Sequence, residues 1–183
     1  GMGKSTRIPQ YVVDHDPDSC VWQLQPRRLA ATRLAQYIVN ERTDLGPLGD
    51  VVGYRVRGDV KATRDTRLVY MTTGYFLHFV LHHLRRLDRT TSNSNWAGHQ
   101  AWCTHLFIDE VHEASEETEL VLLLVRMLAR RGALNFKVVI LSATLDFQTL
   151  HAYFNKSVLP EGVMQIDEEQ PKGAAQGEEE QKS

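Results

Sequence analysis

The sequence predicts an α/β domain built on a central, mostly parallel sheet, and three observations predict it. Short apolar runs alternate with amphipathic stretches at the spacing of strand–helix units. Two of those runs end in compact polar clusters, Asp109-Glu110 and Ser142-Ala143-Thr144, as strands do when their carboxyl ends line a crevice. The chain opens G-M-G-K-S-T, the closing half of the phosphate-binding loop pattern G-x-x-x-x-G-K-[ST].

The elements follow in order. The opening, with Gly1 and Gly3, reads as a loop of small residues entering a helix. Val21-Trp-Gln-Leu reads as a buried strand, and 28–41 as a helix with apolar positions at helical spacing. The alternating stretch 51–57 predicts an extended, half-exposed strand. A third strand over 67–72 leads through Thr72-Thr73-Gly74 into a helix to about Leu87. Residues 105–110 form a fourth strand, 117–131 a long helix, 137–142 a fifth strand and 147–154 a last helix. The stretch 90–98 is polar and rich in turn formers, which predicts a loop.

Composition sets bounds. The chain has 183 residues, 42% of them hydrophobic and 24% charged, which suits one globular domain with its own core. Cys20 and Cys103 are too few for a disulfide framework and fit reduced thiols in an intracellular protein. The longest aliphatic run, Leu120 to Val125, is too short to span a bilayer, so no membrane partner is expected. The net charge of −2 is uneven, because Asp167, Glu168, Glu169, Glu178, Glu179 and Glu180 outweigh Lys172 and Lys182. Residues 1–155 are expected as the folded domain and 156–183 as an acidic, disordered tail.

The chemistry concentrates at three places. Backbone N–H groups and the helix dipole at Gly3-Lys4-Ser5-Thr6 suit phosphate, with Lys4 reaching the β- and γ-phosphates and the Ser5 hydroxyl a ligand for Mg²⁺. Asp109 suits the same hard cation, and Glu110 is then free to orient or deprotonate a water. Ser142 and Thr144 taken alone fit ordinary helix caps; the alignment of all three signals favours a nucleotide site. His78 and His82 stand four apart on a helix, but no cysteine or carboxylate pattern supports a metal there, and a surface pair is the better reading.

Taken in order, these motifs resemble the first RecA-like domain of the DEAH/RHA-type DExH-box helicases of superfamily 2. Gly3-Lys4-Ser5-Thr6 with Gln10 resembles motif I, and Gln25-Pro26-Arg27-Arg28 motif Ia. Thr72-Thr73-Gly74 is similar to motif Ib, Asp109-Glu110-Val111-His112 to motif II and Ser142-Ala143-Thr144 to motif III. Val52-Gly53-Tyr54-Arg55-Val56-Arg57 is similar to a further strand of that family. The resemblance implies a P-loop NTPase fold and ATP and Mg²⁺ as cofactors. It also implies RNA as partner, with DNA left open by the motifs themselves. Gly1, Gly3, Lys4, Ser5, Thr6, Ser142 and Thr144 would face the nucleotide; Ser5 and Asp109 would hold Mg²⁺. Glu110, Asp109 and His112 would be catalytic, with His112, Ser142 and Thr144 coupling nucleotide state to strand movement. Arg27, Arg28, Thr72, Thr73 and Gly74 would meet the nucleic-acid backbone, where cations and hydroxyls suit phosphate oxygens without base preference.

Met2 departs from the usual Ser or Cys, tolerably, since the backbone does the binding. The resemblance also implies a strand ahead of the phosphate loop and a second RecA-like domain, neither expected within these residues. The expected function is therefore the ATP-binding and hydrolysis domain of an ATP-dependent RNA helicase. Two alternatives remain: a truncated, catalytically incompetent nucleotide-binding or interaction module, and a P-loop NTPase acting on a partner other than nucleic acid.

Overall fold

The computed structural model describes residues 3–87, 103–113, 115–144, 147–154 and 163–165. Gly1, the polar loop at 90–98 and nearly all of the predicted tail lie outside the described residues. The elements are α1 (Lys4–His15), β1 (Val21–Gln25), α2 (Arg28–Glu41), β2 (Val52–Val56), β3 (Asp59–Lys61), β4 (Leu68–Thr72) and α3 (Thr73–Leu87). There follow β5 (His105–Ile108), α4 (Glu116–Arg130), β6 (Lys137–Ile140), α5 (Phe147–Phe154) and β7 (Val163–Gln165). The sheet runs β3-β2-β4-β1-β5-β6-β7, and every neighbouring pair is parallel except β2 with β3. This is a RecA-like α/β arrangement.

Strand parity divides the core into two layers. Trp22, Leu24, Val69, Met71, Leu106, Ile108, Val138 and Ile140 pack on one face, against Phe76 and Val80 of α3 and Val121, Val125 and Leu128 of α4. Val21, Val52, Tyr54, Leu68, Tyr70, Phe107 and Val139 pack on the other, against Val13 of α1 and Ala31, Ala35 and Ile38 of α2. Sheet strands covered on both faces read as continuous apolar runs, which is why β4 and β5 were so plain in the sequence. Direction reverses at β1: the chain first builds β2 and β4 on one side of it, then crosses through α3 to β5 on the other. The crevice at the carboxyl end of such a switch strand is where open α/β sheets bind ligands.

Three expectations change. The strand at 51–57 is not half-exposed: four of the five residues of β2 are buried, because α2 covers one face and β3 its outer edge. β3 is too short and polar to show in the sequence, and the Arg57-Gly58 turn delivers it, with Gly58 at φ 80°. Val163–Gln165, placed by composition in the tail, pairs in parallel with Val138–Ile140 as a seventh strand. The three residues are locally apolar enough to extend a ladder even though the surrounding composition is acidic.

Gly53 explains itself by contact. A Cβ there would lie 2.1 Å from the Lys61 carbonyl oxygen, which is backbone and cannot swing aside. Gly53→Ala must part β2 from β3 and is expected to cost about 2–3 kcal/mol, as overpacking does. For a domain of this size that is a fall of roughly 4–12 °C in Tm, readable by circular dichroism. An unchanged Tm would mean that β3 is not held against β2 in solution.

Candidate nucleotide site

Gly3 caps α1 with φ 112° and ψ −19°, a left-handed conformation that favours glycine, so a glycine is required there by the backbone. The Arg7 N–H donates to the Gly3 carbonyl at 2.6 Å, closing the first helical turn. The first turn is then fixed from below in an unexpected way. Pro9 sits inside α1 and has no N–H, so the Ser5 carbonyl, four residues earlier, loses its helical donor. The buried phenol of Tyr70 on β4 donates to that carbonyl at 2.8 Å. Burial and the nearby Asp109 hold the Tyr70 hydroxyl well above its usual range, so it stays a protonated donor. A proline that would have orphaned a half-buried carbonyl thus ties the first turn of α1 to the sheet.

The carboxylates come next. Asp109 follows β5 and is 5% exposed. Its Oδ2 accepts from Gln23 Nε2 at 2.9 Å and Gln25 Nε2 at 2.7 Å, and its Oδ1 accepts from the Glu110 N–H at 2.9 Å. Both glutamines lie on β1, on the same face as Asp109, and are buried. Glu110 takes φ 53°, the one non-glycine residue with positive φ among the described residues. Such strain persists where the surroundings over-determine it. Here the Val111 N–H donates to the Leu141 carbonyl at 3.3 Å and the Glu113 N–H to the Glu110 carbonyl at 2.9 Å, clamping both sides of the turn.

The structure brings three predicted residues into one cluster. His112 Nδ1 lies 3.3 Å from Glu110 Oε2 and 3.2 Å from Ser142 Oγ. The tautomer with its proton on Nδ1 donates toward both. Lys4 Nζ donates to the Ser142 carbonyl at 3.0 Å, so the start of α1 and the turn after β6 touch directly. Thr6 Oγ1 reaches back to the Gly3 carbonyl at 3.4 Å. Thr144 is exposed just beyond Ser142.

The residues expected to face nucleic acid divide. Arg27 and Arg28 are exposed at the start of α2, and Arg27 pairs with Glu113 at 3.2 Å. An ion pair this exposed contributes about 0–1 kcal/mol, little enough to be exchanged for a phosphate. Thr72 and Thr73 are buried instead. The Thr72 hydroxyl accepts from the Tyr75 N–H at 3.3 Å, and the Thr73 hydroxyl donates to the Gln25 carbonyl at 3.3 Å. Gly74 meets the Glu117 carboxylate, which would lie 2.6 Å from an added Cβ. His78 Nε2 and His82 Nε2 lie 3.3 Å apart, and among the described residues no cluster of three metal-ligating groups exists. Burial raises both thiols, Cys103 most, consistent with unreactive side chains. No helix among the described residues is long and apolar enough to cross a membrane.

Sequence reasoning missed Gln23, Tyr70 and Glu113, and named Gln25 only as part of a motif without a role. Signals existed for some of them: two glutamines inside the apolar run V-W-Q-L-Q, and a proline one turn into the phosphate-loop helix.

Fold and motif order together define a RecA-like domain of the P-loop class. No family model matches the chain. It is 39% identical over 158 residues to the mouse protein ATP-dependent RNA helicase TDRD9, a match covering 84% of this chain and 10% of that protein. The zebrafish protein of the same name is 35% identical over 162 residues, covering 86% of this chain and 11% of the relative. A Mycosarcoma maydis protein named as a candidate DEAH-box ATP-dependent helicase is 33% identical over 171 residues, again 86% of this chain and 10% of the relative. Over these residues the chain is similar to proteins named as ATP-dependent RNA helicases and DEAH-box helicases, and it spans about a tenth of the length of the curated relatives it matches.

Proposed function

We propose that this chain is the ATP-binding and ATP-hydrolysing RecA-like part of an ATP-dependent RNA helicase. The observation that carries the proposal is the convergence of Lys4, Asp109, Glu110, His112 and Ser142 at one end of the parallel strands, linked by contacts of 2.9–3.3 Å. Lys4 exchanges the Ser142 carbonyl for the β- and γ-phosphates of ATP. The donor set fits Mg²⁺: the Ser5 hydroxyl and the Asp109 carboxylate are hard oxygen ligands, and Asp109 Oδ1 retains an acceptor site after its bond from Glu110. Mg²⁺ held by these two residues would offset the charge of the phosphates. Glu110 orients the attacking water and takes its proton, while His112 steadies the carboxylate and links it to Ser142 at the end of β6.

RNA is the nucleic acid that the relatives' names favour, and the exposed Arg27 and Arg28 supply cations for its backbone. Contact through Thr72, Thr73 and Gly74 then requires either their backbone N–H groups or displacement of Glu117. A second RecA-like domain is expected to close over this face, since phosphoryl transfer in this class is completed by charge supplied from a facing surface.

The first test is Lys4→Ala. Losing a charge-assisted contact of about 1.5–3 kcal/mol weakens MgATP binding roughly 10–150-fold, measured by competition against a fluorescent nucleotide. Wild-type affinity in this variant would remove the phosphate-loop assignment. Stimulation of turnover by single-stranded RNA separates the helicase reading from an NTPase that serves another partner.

A further inference from the structure

We propose that Gln23 and Gln25 are positioning residues that set the Mg²⁺ affinity of Asp109, an inference that rests on the nucleotide-site reading above. A carboxylate offers about four in-plane acceptor sites, two on each oxygen. Two amide donors at 2.9 and 2.7 Å occupy those of Oδ2, and one backbone donor occupies Oδ1. The carboxylate is thereby fixed about its own bond, with the remaining acceptor site on Oδ1 as the one left for a cation.

The amide orientation is forced. Turned the other way, either glutamine would set a carbonyl oxygen against a carboxylate oxygen at less than 3 Å. Gln23 accepts a penalty for this arrangement: its Oε1 is buried with no hydrogen-bond partner. Buried polar atoms are otherwise nearly always paired, so a residue kept with an orphaned acceptor is kept for its donor. An apolar side chain would serve a strand covered on both faces without that penalty. Two neighbouring odd positions of β1 nevertheless carry glutamine, and both reach the same oxygen.

Gln25 has a second connection. Its backbone carbonyl accepts from the buried hydroxyl of Thr73 at the start of α3, and Pro26 and Arg27 follow it directly. The residue that aims the metal-binding carboxylate is therefore also the last strand residue before the exposed arginines. Displacing Arg27 or Thr73 pulls on the strand end that holds Asp109.

The test uses Gln23→Met and Gln25→Met, which keep length and volume and remove the N–H. Affinity for a fluorescent ADP analogue is measured in EDTA and across a Mg²⁺ titration, with the thermal midpoint of each variant recorded to show that it folds. Partners that orient a metal ligand typically matter 10–100-fold, so each variant is expected to raise the half-maximal Mg²⁺ concentration about 10-fold. Affinity in EDTA stays at the wild-type value, a split that general loosening of the fold would not produce. In an Asp109→Asn background, Gln25→Met adds nothing further. Gln25→Asn, which withdraws the amide by one methylene, gives the same Mg²⁺ shift should the methionine variant fold poorly. An unshifted Mg²⁺ midpoint in folded variants overturns the proposal, as does a full-size shift that persists without the Asp109 carboxylate. Nucleotide binding by the wild type that ignores Mg²⁺ would instead overturn the site reading, and this inference with it.

Discussion

Replacing Glu110 by glutamine lowers steady-state ATP turnover about 10²–10⁴-fold, the span that a positioned general base contributes, while MgATP affinity stays within about twofold. Glutamine keeps the length of the side chain and can still receive the His112 Nδ1 proton at 3.3 Å through its carbonyl oxygen. It cannot accept a proton from water. The backbone at φ 53° is no worse for glutamine than for glutamate, so the strained turn survives the exchange. A change in kcat without a change in nucleotide affinity is the signature of an interaction made only in the transition state. The measurement is steady-state phosphate release beside equilibrium nucleotide binding, on the two-domain protein with RNA present. An affinity loss as large as that of Lys4→Ala would make Glu110 a metal ligand or a structural residue instead.

Much of this arrangement was legible because its physics is local. The helix at 28–41 begins and ends where its apolar spacing begins and ends, and α2 has those same bounds. The strand into Asp109 was legible because both its faces are covered and its end is charged. Less legible was whatever depended on partners far along the chain. Tyr70 reads as one more apolar strand residue until Ser5, 65 residues earlier, is seen to need its hydroxyl. Gln23 and Gln25 look like interruptions of a buried strand until Asp109 arrives more than 80 positions later. Thr72 and Thr73 looked like surface hydroxyls because threonines at a strand–helix junction often are; here one caps the helix and the other bonds to β1. Polar residues inside apolar runs were the clue, and what they bond to is fixed only by topology.

Asp109 is the residue at which stability and chemistry separate most cleanly. Asp109→Ala deletes the acceptor for three buried or half-buried donors: the amides of Gln23 and Gln25 and the Glu110 N–H. Each unpaired buried donor costs about 1–3 kcal/mol, so even allowing for local rearrangement the variant should lose several kcal/mol and unfold at markedly lower denaturant. Asp109→Asn behaves otherwise. Its carbonyl oxygen can face the Glu110 N–H, and its amide can face two glutamines free to turn and present their own oxygens. In Gln23 that turn pairs Oε1 and sets Nε2 in the place that has no partner, so the number of unpaired buried atoms does not rise. Asparagine is therefore expected to retain near wild-type stability in urea. It is a neutral ligand, however, and with its amide nitrogen set toward β1 it no longer offers the charge proposed above to hold Mg²⁺ beside phosphates. Both variants should accordingly lose the Mg²⁺-dependent part of nucleotide affinity, while only the alanine variant loses stability. Urea unfolding beside the Mg²⁺ titration reads the two effects independently. Equal destabilisation of both would mean that the charge of Asp109, rather than its acceptor geometry, holds the end of β5 in place. Retained Mg²⁺ dependence in the asparagine variant would place the metal on another carboxylate, with Glu110, one residue on, as the candidate.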